Sequence, residues 1–173
     1  MKILLLAGSP RKNGNSSAMA DAFIQGAESV GHEVVRFDVA FMNIGGCRGC
    51  EYCHTQGEGQ CIQQDDMAQI YPHLNDCDMI VFASPVYYWT LTSYLQAALH
   101  RFYAIGKPAK TTKFAIMLSS GSSGVYDSIE TQMTDSFSFM GIDFVKVITA
   151  NDEDEENKSQ LKLQECLNFG ASL

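Results

Sequence analysis

The sequence predicts an α/β protein in which a doubly wound, five-stranded parallel sheet carries helices on both faces. Three observations lead to this prediction: short apolar runs, amphipathic segments between them, and a length of 173 residues, which suits one domain. Near-continuous apolar runs are typical of parallel strands buried on both faces, and parallel strands need crossover helices. The hydrophobic share of 46% against 18% charged residues excludes a largely disordered chain.

The strand candidates are five runs bounded by Gly, Ser, Pro or polar residues. They cover residues 2–7, 33–39 (a weaker run), 79–83, 113–118 and 144–149. Between them, apolar residues recur every three or four positions, as on one face of a helix. The clearest helical patterns cover residues 19–30 and 91–102, and weaker ones cover 65–74, 126–139 and 157–169.

Several polar residues receive a structural interpretation. Asn15 or Ser16 is the expected N-cap of the first helix, and Asp65 with Asp66 is expected to begin a later one. Arg101 lies off the apolar stripe of its helix, so we expect its side chain to be free to point away from that stripe. The acidic run at residues 152–156 is interpreted as a solvated turn before the last helix.

Charge and hydropathy exclude two classes of partner. Twelve Lys and Arg against 20 Asp and Glu give a net charge of −8, which disfavours a nucleic-acid binder. No run approaches the roughly 18–20 apolar residues of a membrane span. The N-terminal apolar run ends at Ala7 and is followed by Arg11 and Lys12, so we expect no secretory signal. We therefore expect a reducing, cytoplasmic location.

The loop after the first strand, residues 8–17, combines hydroxyls, an amide and two cations before a helix. In an open parallel sheet, ligands bind outside the carboxyl ends of the strands, and a helix N-terminus attracts anions. The loop matches neither the G-x-x-x-x-G-K-[ST] nor the G-x-G-x-x-G pattern. A phosphate cradle is the favoured interpretation, and a polar turn that only caps the helix is the alternative.

The loops after the third and fourth strands suit a flat ring. Residues 84–90 contain three consecutive aromatic side chains, and residues 119–124 are all Ser or Gly. Each loop alone is a weak signal, since aromatic clusters are more often core and Ser/Gly loops are common. Together with the anion cradle, they predict a site for a mononucleotide with a conjugated base.

Four of the six cysteines lie in one long connection of about 25 residues, a length uncommon in compact domains. They are Cys47, Cys50, Cys53 and Cys61. This spacing suits an iron-sulfur cluster or zinc, and it also suits a thiol/disulfide switch or a purely structural loop. Cys77 and Cys166 lie elsewhere and are expected to be small buried hydrophobic residues.

Three blocks carry a family resemblance: GSPRKNGNS, CRGCEYC with QCIQQDDM downstream, and SPVYYWTLTSYLQAALHRF. With them the chain resembles the flavodoxin-like NADPH-dependent FMN reductase superfamily, in particular the branch of iron-sulfur flavoproteins and multimeric flavodoxins. The resemblance implies a flavodoxin-like three-layer sandwich with strand order 2-1-3-4-5. It also implies that residues 1–173 form a single FMN-binding domain with a cysteine-rich insertion at about residues 40–64.

The resemblance further implies which residues hold FMN. The phosphate would be bound by Ser9, Arg11, Asn15, Ser16 and Ser17. The ribityl chain and ring would be lined by Pro85, Val86, Tyr87, Tyr88 and Trp89, and the ring edge by Ser119, Ser120 and Gly121. No catalytic side chain is named, because the flavin supplies the redox chemistry and His54 and His73 stand isolated.

The expected function is reduction of flavin, quinone or a similar acceptor by NAD(P)H through bound FMN. The alternatives are an electron-transfer protein of the iron-sulfur flavoprotein type, without its own nicotinamide substrate, and a flavin-free interaction module. The partner would be a small-molecule electron acceptor or a redox protein, and the family commonly forms homodimers or homotetramers. Many relatives carry a similar cysteine pattern without a cluster, so a cluster-free loop is favoured over an iron-sulfur cluster.

Overall fold

The computed structural model describes residues 1–153 and 159–173, and its central element is a parallel sheet of five strands. The strands are β1 (Lys2–Ala7), β2 (Glu33–Asp38), β3 (Met79–Pro85), β4 (Lys113–Ser120) and β5 (Asp143–Asn151). Their order is β2-β1-β3-β4-β5, and all neighbouring pairs are parallel. The helices are α1 (Asn15–Ser29), α2 (Tyr52–Thr55), α3 (Met67–Asp76), α4 (Ser93–His100), α5 (Asp127–Phe139) and α6 (Ser159–Ala171). The predicted fold class and strand order are confirmed.

The alternation of side chains along each strand explains why the strand sequences are continuously apolar. Leu4 and Leu6 of β1 belong to a core that also contains buried residues of α3, α4 and α5. Ile3 and Leu5 face the other side, in a core shared with α1 and α6. Both faces of the sheet are therefore covered, as expected for parallel strands.

Two buried cysteines and one close helix contact define these cores further. Cys77 (3% exposed) lies in the first core and Cys166 (0% exposed) in the second, which confirms the prediction of small buried residues. Helices α1 and α6 approach closely, since a Cβ at Gly26 would lie 2.0 Å from the carbonyl oxygen of Leu167. Only glycine permits that approach.

The register places three strand ends at one edge of the sheet. Ala7 of β1 is paired with Ala83 of β3, and Pro85 of β3 is paired with Ser119 of β4. The loops that follow these strands therefore leave the sheet side by side. This edge is the switch point of a doubly wound sheet, where ligands bind.

Two details of the helix termini and loops differ from, or fall outside, the predictions. The N-cap of α1 is Gly14 and not Asn15 or Ser16, and no side chain caps this helix. Of the predicted acidic turn at residues 152–156, residues 154–156 lie outside the described residues, and so does the predicted helix start at residue 157. None of the helices in the described ranges is long and apolar enough to cross a membrane.

Candidate functional site

A cavity of about 340 Å³ opens between the loops that follow β1, β3 and β4. This volume lies at the lower end of the range for small-molecule sites, roughly 300–1,000 Å³. The predicted site residues that line it are Ser9, Arg11, Asn15, Ser16, Pro85, Val86, Tyr87, Ser119, Ser120 and Gly121. The register of the sheet brings these three loops together, as the sequence-based argument required.

Three predicted residues do not line the cavity, and three unpredicted ones do. Ser17, Tyr88 and Trp89 lie outside its lining, whereas Asn13, Gly14 and Asp152 contribute to it. Asn13 and Gly14 belong to the loop already singled out. Asp152 follows β5, so examination of the fifth strand end as a ligand loop would have found it.

The β1 side of the cavity has the properties of an anion site. The cap residue Gly14 has no side chain to satisfy the first amides of α1, and the first turn contains no acidic residue. A Cβ at Gly14 would lie 3.2 Å from both the Ser9 hydroxyl and the Arg11 carbonyl oxygen. Among the described residues, no hydrogen bond or ion pair engages the exposed Arg11 guanidinium. Free amides, a helix dipole and an unpaired cation together fit a phosphate group.

Hydrogen bonds within the protein fix the conformation of the loop after β1. The Ser9 hydroxyl accepts from the Arg11 amide (3.1 Å) and donates to the Arg11 carbonyl oxygen (3.0 Å). The Ser17 hydroxyl donates to the same carbonyl at 3.4 Å and accepts from Arg36 at 3.5 Å. Ser17 therefore supports the loop from behind, which explains its absence from the lining.

The β3 side of the cavity ends in a tight turn with two aromatic residues at its tip. Tyr87 and Thr90 exchange two backbone hydrogen bonds of 3.0 and 3.2 Å. Between them, Tyr88 and Trp89 adopt φ angles of +52° and +62°. Such turns favour Asn-Gly, and a left-handed conformation costs a bulky residue roughly 1–2 kcal/mol. The Tyr88 side chain is 92% exposed and that of Trp89 57%, so core packing does not explain these residues.

The β4 side is fixed by contacts to neighbouring strands. The Val86 amide donates to the Ser119 carbonyl oxygen at 2.7 Å, which joins two of the three loops. The Ser120 hydroxyl lies 2.6 Å from the Tyr126 hydroxyl, and Tyr126 donates to the Ala150 carbonyl oxygen at 2.8 Å. Burial raises the pKa of Tyr126, so this phenol stays protonated as a donor. Hydrogen bonds within the protein therefore fix the positions of Ser119 and Ser120 in the cavity lining.

The four clustered cysteines line a second, smaller cavity. Residues 45–63, which contain them, are here called the cysteine segment. The cavity's internal volume of about 10 Å³ is close to the space of one water molecule. Cys53 is buried, and burial together with the neighbouring Cys61 and Cys47 raises the pKa of its thiol. The described residues nevertheless contain no group of three or more Cys, His, Asp or Glu side chains arranged to hold a metal ion.

Arg101 contacts the cysteine segment, so the side chain that leaves the apolar stripe of its helix is buried and not exposed. It is 1% exposed, and its guanidinium bonds the Asp65 carboxylate at 2.6 Å. Burial opposes the charge of Asp65, but Arg101 and the amides of Gly45 and Met67 hold the Asp65 pKa below its usual value. The Asp65 carboxylate also accepts from the Met67 amide at 3.1 Å, at the predicted helix start, where Asp66 is the N-cap residue.

His54 and Tyr71 also contact this region, but neither faces the strand-end cavity. His54 Nε2 lies 2.8 Å from the Tyr103 carbonyl oxygen, and the two rings meet edge to face at 4.6 Å. Tyr71 donates to the Arg101 carbonyl oxygen at 3.2 Å, and burial raises its pKa to about 12. Both side chains are therefore accounted for by packing.

The fold and the strand-end cavity define a mononucleotide-binding α/β protein of the flavodoxin-like class. Residues 1–154 match the family model of the NADPH-dependent FMN reductases. The chain belongs to this family of FMN-binding oxidoreductases. The superfamily predicted from the three sequence blocks is confirmed.

Curated relatives with a similar sequence carry the name iron-sulfur flavoprotein. One from Archaeoglobus fulgidus is 37% identical over 106 residues, which cover 61% of this chain and 47% of the relative. One from Methanocaldococcus jannaschii is 35% identical over 105 residues, covering 61% and 52%. The predicted resemblance to the iron-sulfur flavoprotein branch is confirmed. The match spans about half the length of these relatives.

Solved structures agree in fold at low sequence identity. An NAD(P)H:quinone oxidoreductase from Methanothermobacter marburgensis superposes with a TM-score of 0.80 at 16% identity, covering 99% of this chain and 95% of the other. An FMN-dependent NADH-azoreductase from Bacillus anthracis in complex with FMN gives 0.74 at 13% identity, covering 99% and 98%. A flavodoxin from the domain Archaea gives 0.63 at 19% identity, covering 99% and 95%.

Proposed function

We propose that the chain is an FMN-binding oxidoreductase that takes hydride from NAD(P)H and passes electrons to an acceptor such as free flavin or a quinone. The observation that carries this proposal is the strand-end cavity, which is lined by an uncapped helix N-terminus, by Arg11 with no side-chain partner among the described residues, and by the β3 and β4 loops. The names of the relatives and the family support the same chemistry. In this proposal the chain acts as one FMN-binding domain, and the cysteine segment is an insertion in it.

The proposed roles follow from position. Arg11, Ser9, Ser16 and the first amides of α1 bind the phosphate, with Asn15 at the rim. Pro85, Val86 and Tyr87 line one side of the ring, and Ser119, Ser120 and Gly121 line the other. Tyr88 and Trp89 extend from the exposed tip of the turn, where they cover an outer part of the ring. Bound FMN would supply the hydride and electron transfer, so the protein needs to bind and orient it.

The phosphate interaction is tested by comparing FMN with riboflavin, which lacks the phosphate. Arg11→Met removes a charged donor worth about 1.5–3 kcal/mol, so we expect FMN affinity to fall roughly 10- to 100-fold while riboflavin affinity stays unchanged. Lys12→Met is the matched control, because Lys12 is a neighbouring exposed cation placed over the Phe41 ring and outside the cavity lining. Equal losses for FMN and riboflavin would contradict the assignment.

The reaction is tested on the FMN-loaded protein under anaerobic conditions. Addition of NADPH or NADH is expected to bleach the oxidised-flavin absorbance, and an added quinone is expected to restore it. If neither nucleotide bleaches the flavin although FMN binds tightly, the nicotinamide-dependent activity is wrong and the binding assignment stands.

The second candidate function is electron transfer with an iron-sulfur cluster. Its support is the cysteine segment itself: four thiols share one cavity, and the buried Arg101 Nε beside it has no hydrogen-bond partner in the described structure. A buried unpaired donor fits an anionic group such as a thiolate-ligated cluster. The candidate ligands are Cys47, Cys50, Cys53 and Cys61, and they would have to move closer together to hold it, because the described residues do not place them as a metal site. The test is anaerobic purification of the protein followed by iron and sulfide assays. About four irons per chain would support the cluster, and the absence of iron would exclude it.

The assembly and the location of the protein also remain proposals. We propose a homodimer or homotetramer, as the family resemblance implies, and light scattering of the FMN-loaded protein measures the mass directly. A monomer at micromolar concentration would contradict it. The cytoplasmic location stays a prediction from the sequence.

A further inference from the structure

Arg101 is a fully buried cation at the end of α4 that reaches across to the cysteine segment. Its Nη1 donates to the Gly45 carbonyl oxygen at 2.9 Å and to the Asp65 carboxylate at 2.6 Å. Its Nη2 donates to the Gln63 carbonyl oxygen at 3.4 Å. One planar guanidinium therefore contacts both ends of the segment, which only a forked donor does well.

The positions of these partners relative to the cysteines are informative. Gly45 lies two residues before Cys47, and Gln63 lies two residues after Cys61. Two further hydrogen bonds join the same two ends of the chain. The Gly45 amide donates to the Asp65 carboxylate (3.0 Å), and the Gln63 side chain donates to the Gly46 carbonyl oxygen (3.1 Å). All four cysteines thus lie on a loop whose ends are joined at Arg101, and such a closure offsets the entropy of a long connection.

The cysteine segment is also held near α2, where the Tyr103 hydroxyl donates to the Glu51 carboxylate at 3.0 Å and His54 Nε2 lies 2.8 Å from the Tyr103 carbonyl oxygen. The segment's only helix among the described residues is the single turn α2, and Cys47 and Cys50 are exposed. Cys53 is 8% exposed, and it shares its cavity with the Arg101 side chain. Arg101 therefore borders the same cavity as Cys53 and also joins the two ends of the segment.

We propose that Arg101 is the positioning residue of the cysteine segment: by bridging Gly45, Gln63 and Asp65 it gathers the four cysteines around one cavity. The inference concerns the protein's own side chains and does not depend on flavin binding or on the occupant of the cavity. It predicts that the segment opens when the bridge is removed, while the sheet and its two cores stay folded.

The test is pulse labelling of the reduced, metal-free protein with N-ethylmaleimide, with each cysteine quantified by peptide mass spectrometry. In Arg101→Met we expect Cys53 to be labelled at least about tenfold faster than in the wild type, because a buried ion pair has lost its cation. Cys77 and Cys166 are buried in the two cores and serve as internal reporters of global unfolding. Their labelling rates are expected to stay unchanged.

Two further variants separate bridging from general destabilisation. Arg101→Lys keeps the positive charge but lacks the forked donors of the guanidinium, so its Cys53 labelling rate should fall between those of the wild type and Arg101→Met. If Arg101→Met fails to fold, Arg101→Lys is compared with the wild type instead. Arg36→Met is the matched control, since Arg36 pairs with Asp21 and Asp38 away from the segment. It should leave Cys53 unaffected.

Three results would overturn the proposal. An unchanged Cys53 rate in Arg101→Met would show that the bridge does not order the segment. Equal acceleration at Cys53, Cys77 and Cys166 would show loss of the whole fold. Wild-type behaviour of Arg101→Lys would show that bridging by the fork is not required.

Discussion

The strand-end cavity and the cysteine segment are held in different ways. The cavity is formed by short loops that leave three paired strands, and backbone hydrogen bonds such as Val86 to Ser119 fix their spacing. The cysteine segment lies off the sheet, and the side chain of Arg101 joins its ends. The first site is thus a consequence of topology, whereas the ends of the second are joined by a residue that is distant in sequence.

The two sites also differ in chemistry. The cavity presents backbone amides, hydroxyls and an exposed Arg11 with no side-chain partner among the described residues, which suit a ligand that arrives from solvent. Next to the cysteine segment lies a buried ion pair, with side-chain exposures of 0% for Arg101 and 10% for Asp65. A buried pair is sensitive to loss of either partner, whereas an exposed ion pair contributes little. The contrast can be measured.

The largest effect is expected from Asp65→Ala, which leaves the buried Arg101 charge without its partner. We expect a loss of about 3–5 kcal/mol in the free energy of unfolding, measured by urea denaturation. Asp38→Ala is the control, because Asp38 pairs with Arg36 nearer the surface and should cost no more than about 1 kcal/mol. Similar losses in the two variants would remove the distinction drawn between the sites.

The same pair predicts a pH dependence of stability. Because the folded pKa of Asp65 is lowered, its contribution is complete above the ordinary carboxyl pKa of about 3.9 and is lost as the pH falls through the folded value. The stability difference between wild type and Asp65→Asn should therefore be constant near neutral pH and shrink below about pH 4. A difference that grows on acidification would contradict this sign.

An intermediate effect is expected from Gly8→Ala, next to the lining residue Ser9 of the strand-end cavity. The new Cβ would lie 2.7 Å from the Thr92 hydroxyl and 2.9 Å from the Leu95 Cβ, so α4 would have to shift. Overpacking of this kind costs about 1–3 kcal/mol in urea denaturation. Gly121→Ala is the control, since Gly121 lines the cavity and a Cβ there meets open space. If Gly8→Ala leaves the free energy of unfolding unchanged, the loop after β1 is less rigidly held than its contacts indicate.

The smallest effect is expected in the aromatic turn. Trp89→Gly relieves a left-handed backbone and should raise the free energy of unfolding by about 1 kcal/mol. Trp89→Ala is the control, because it also removes the ring but keeps a Cβ at φ +62°. If both variants bind FMN more weakly and only the glycine variant gains stability, the strain and the ring contact are separated. Equal stabilities would argue against strain in this turn.

The sheet and the cavity were largely predictable from sequence because strand-end loops converge by topology. Apolar runs identified all five strands, and residues directly after three of them line the cavity. The exact N-cap was not predictable, because Asn15, Ser16 and Gly14 are all acceptable cap residues. Asp152 was missed because an acidic run is usually a solvated turn.

Arg101 shows where sequence reasoning fails. A polar residue off an apolar stripe normally faces solvent, and its partners Gly45 and Asp65 lie far away in sequence. Only the tertiary contact reveals that this charge is buried. Tyr88 and Trp89 illustrate the same limit, since their φ angles contradict local preference.

Helix α4 has a contact at each end that links the two sites. At its start, the Thr92 hydroxyl donates to the Gly8 carbonyl oxygen at 2.8 Å, beside the strand-end cavity. Just beyond its end lies Arg101. The eight residues of α4 span about 12 Å, so one short helix connects the strand-end cavity with the cysteine segment. If a ligand at the Gly8 end shifts this helix, thermodynamic reciprocity requires that closure of the cysteine loop change the affinity for that ligand by the same factor.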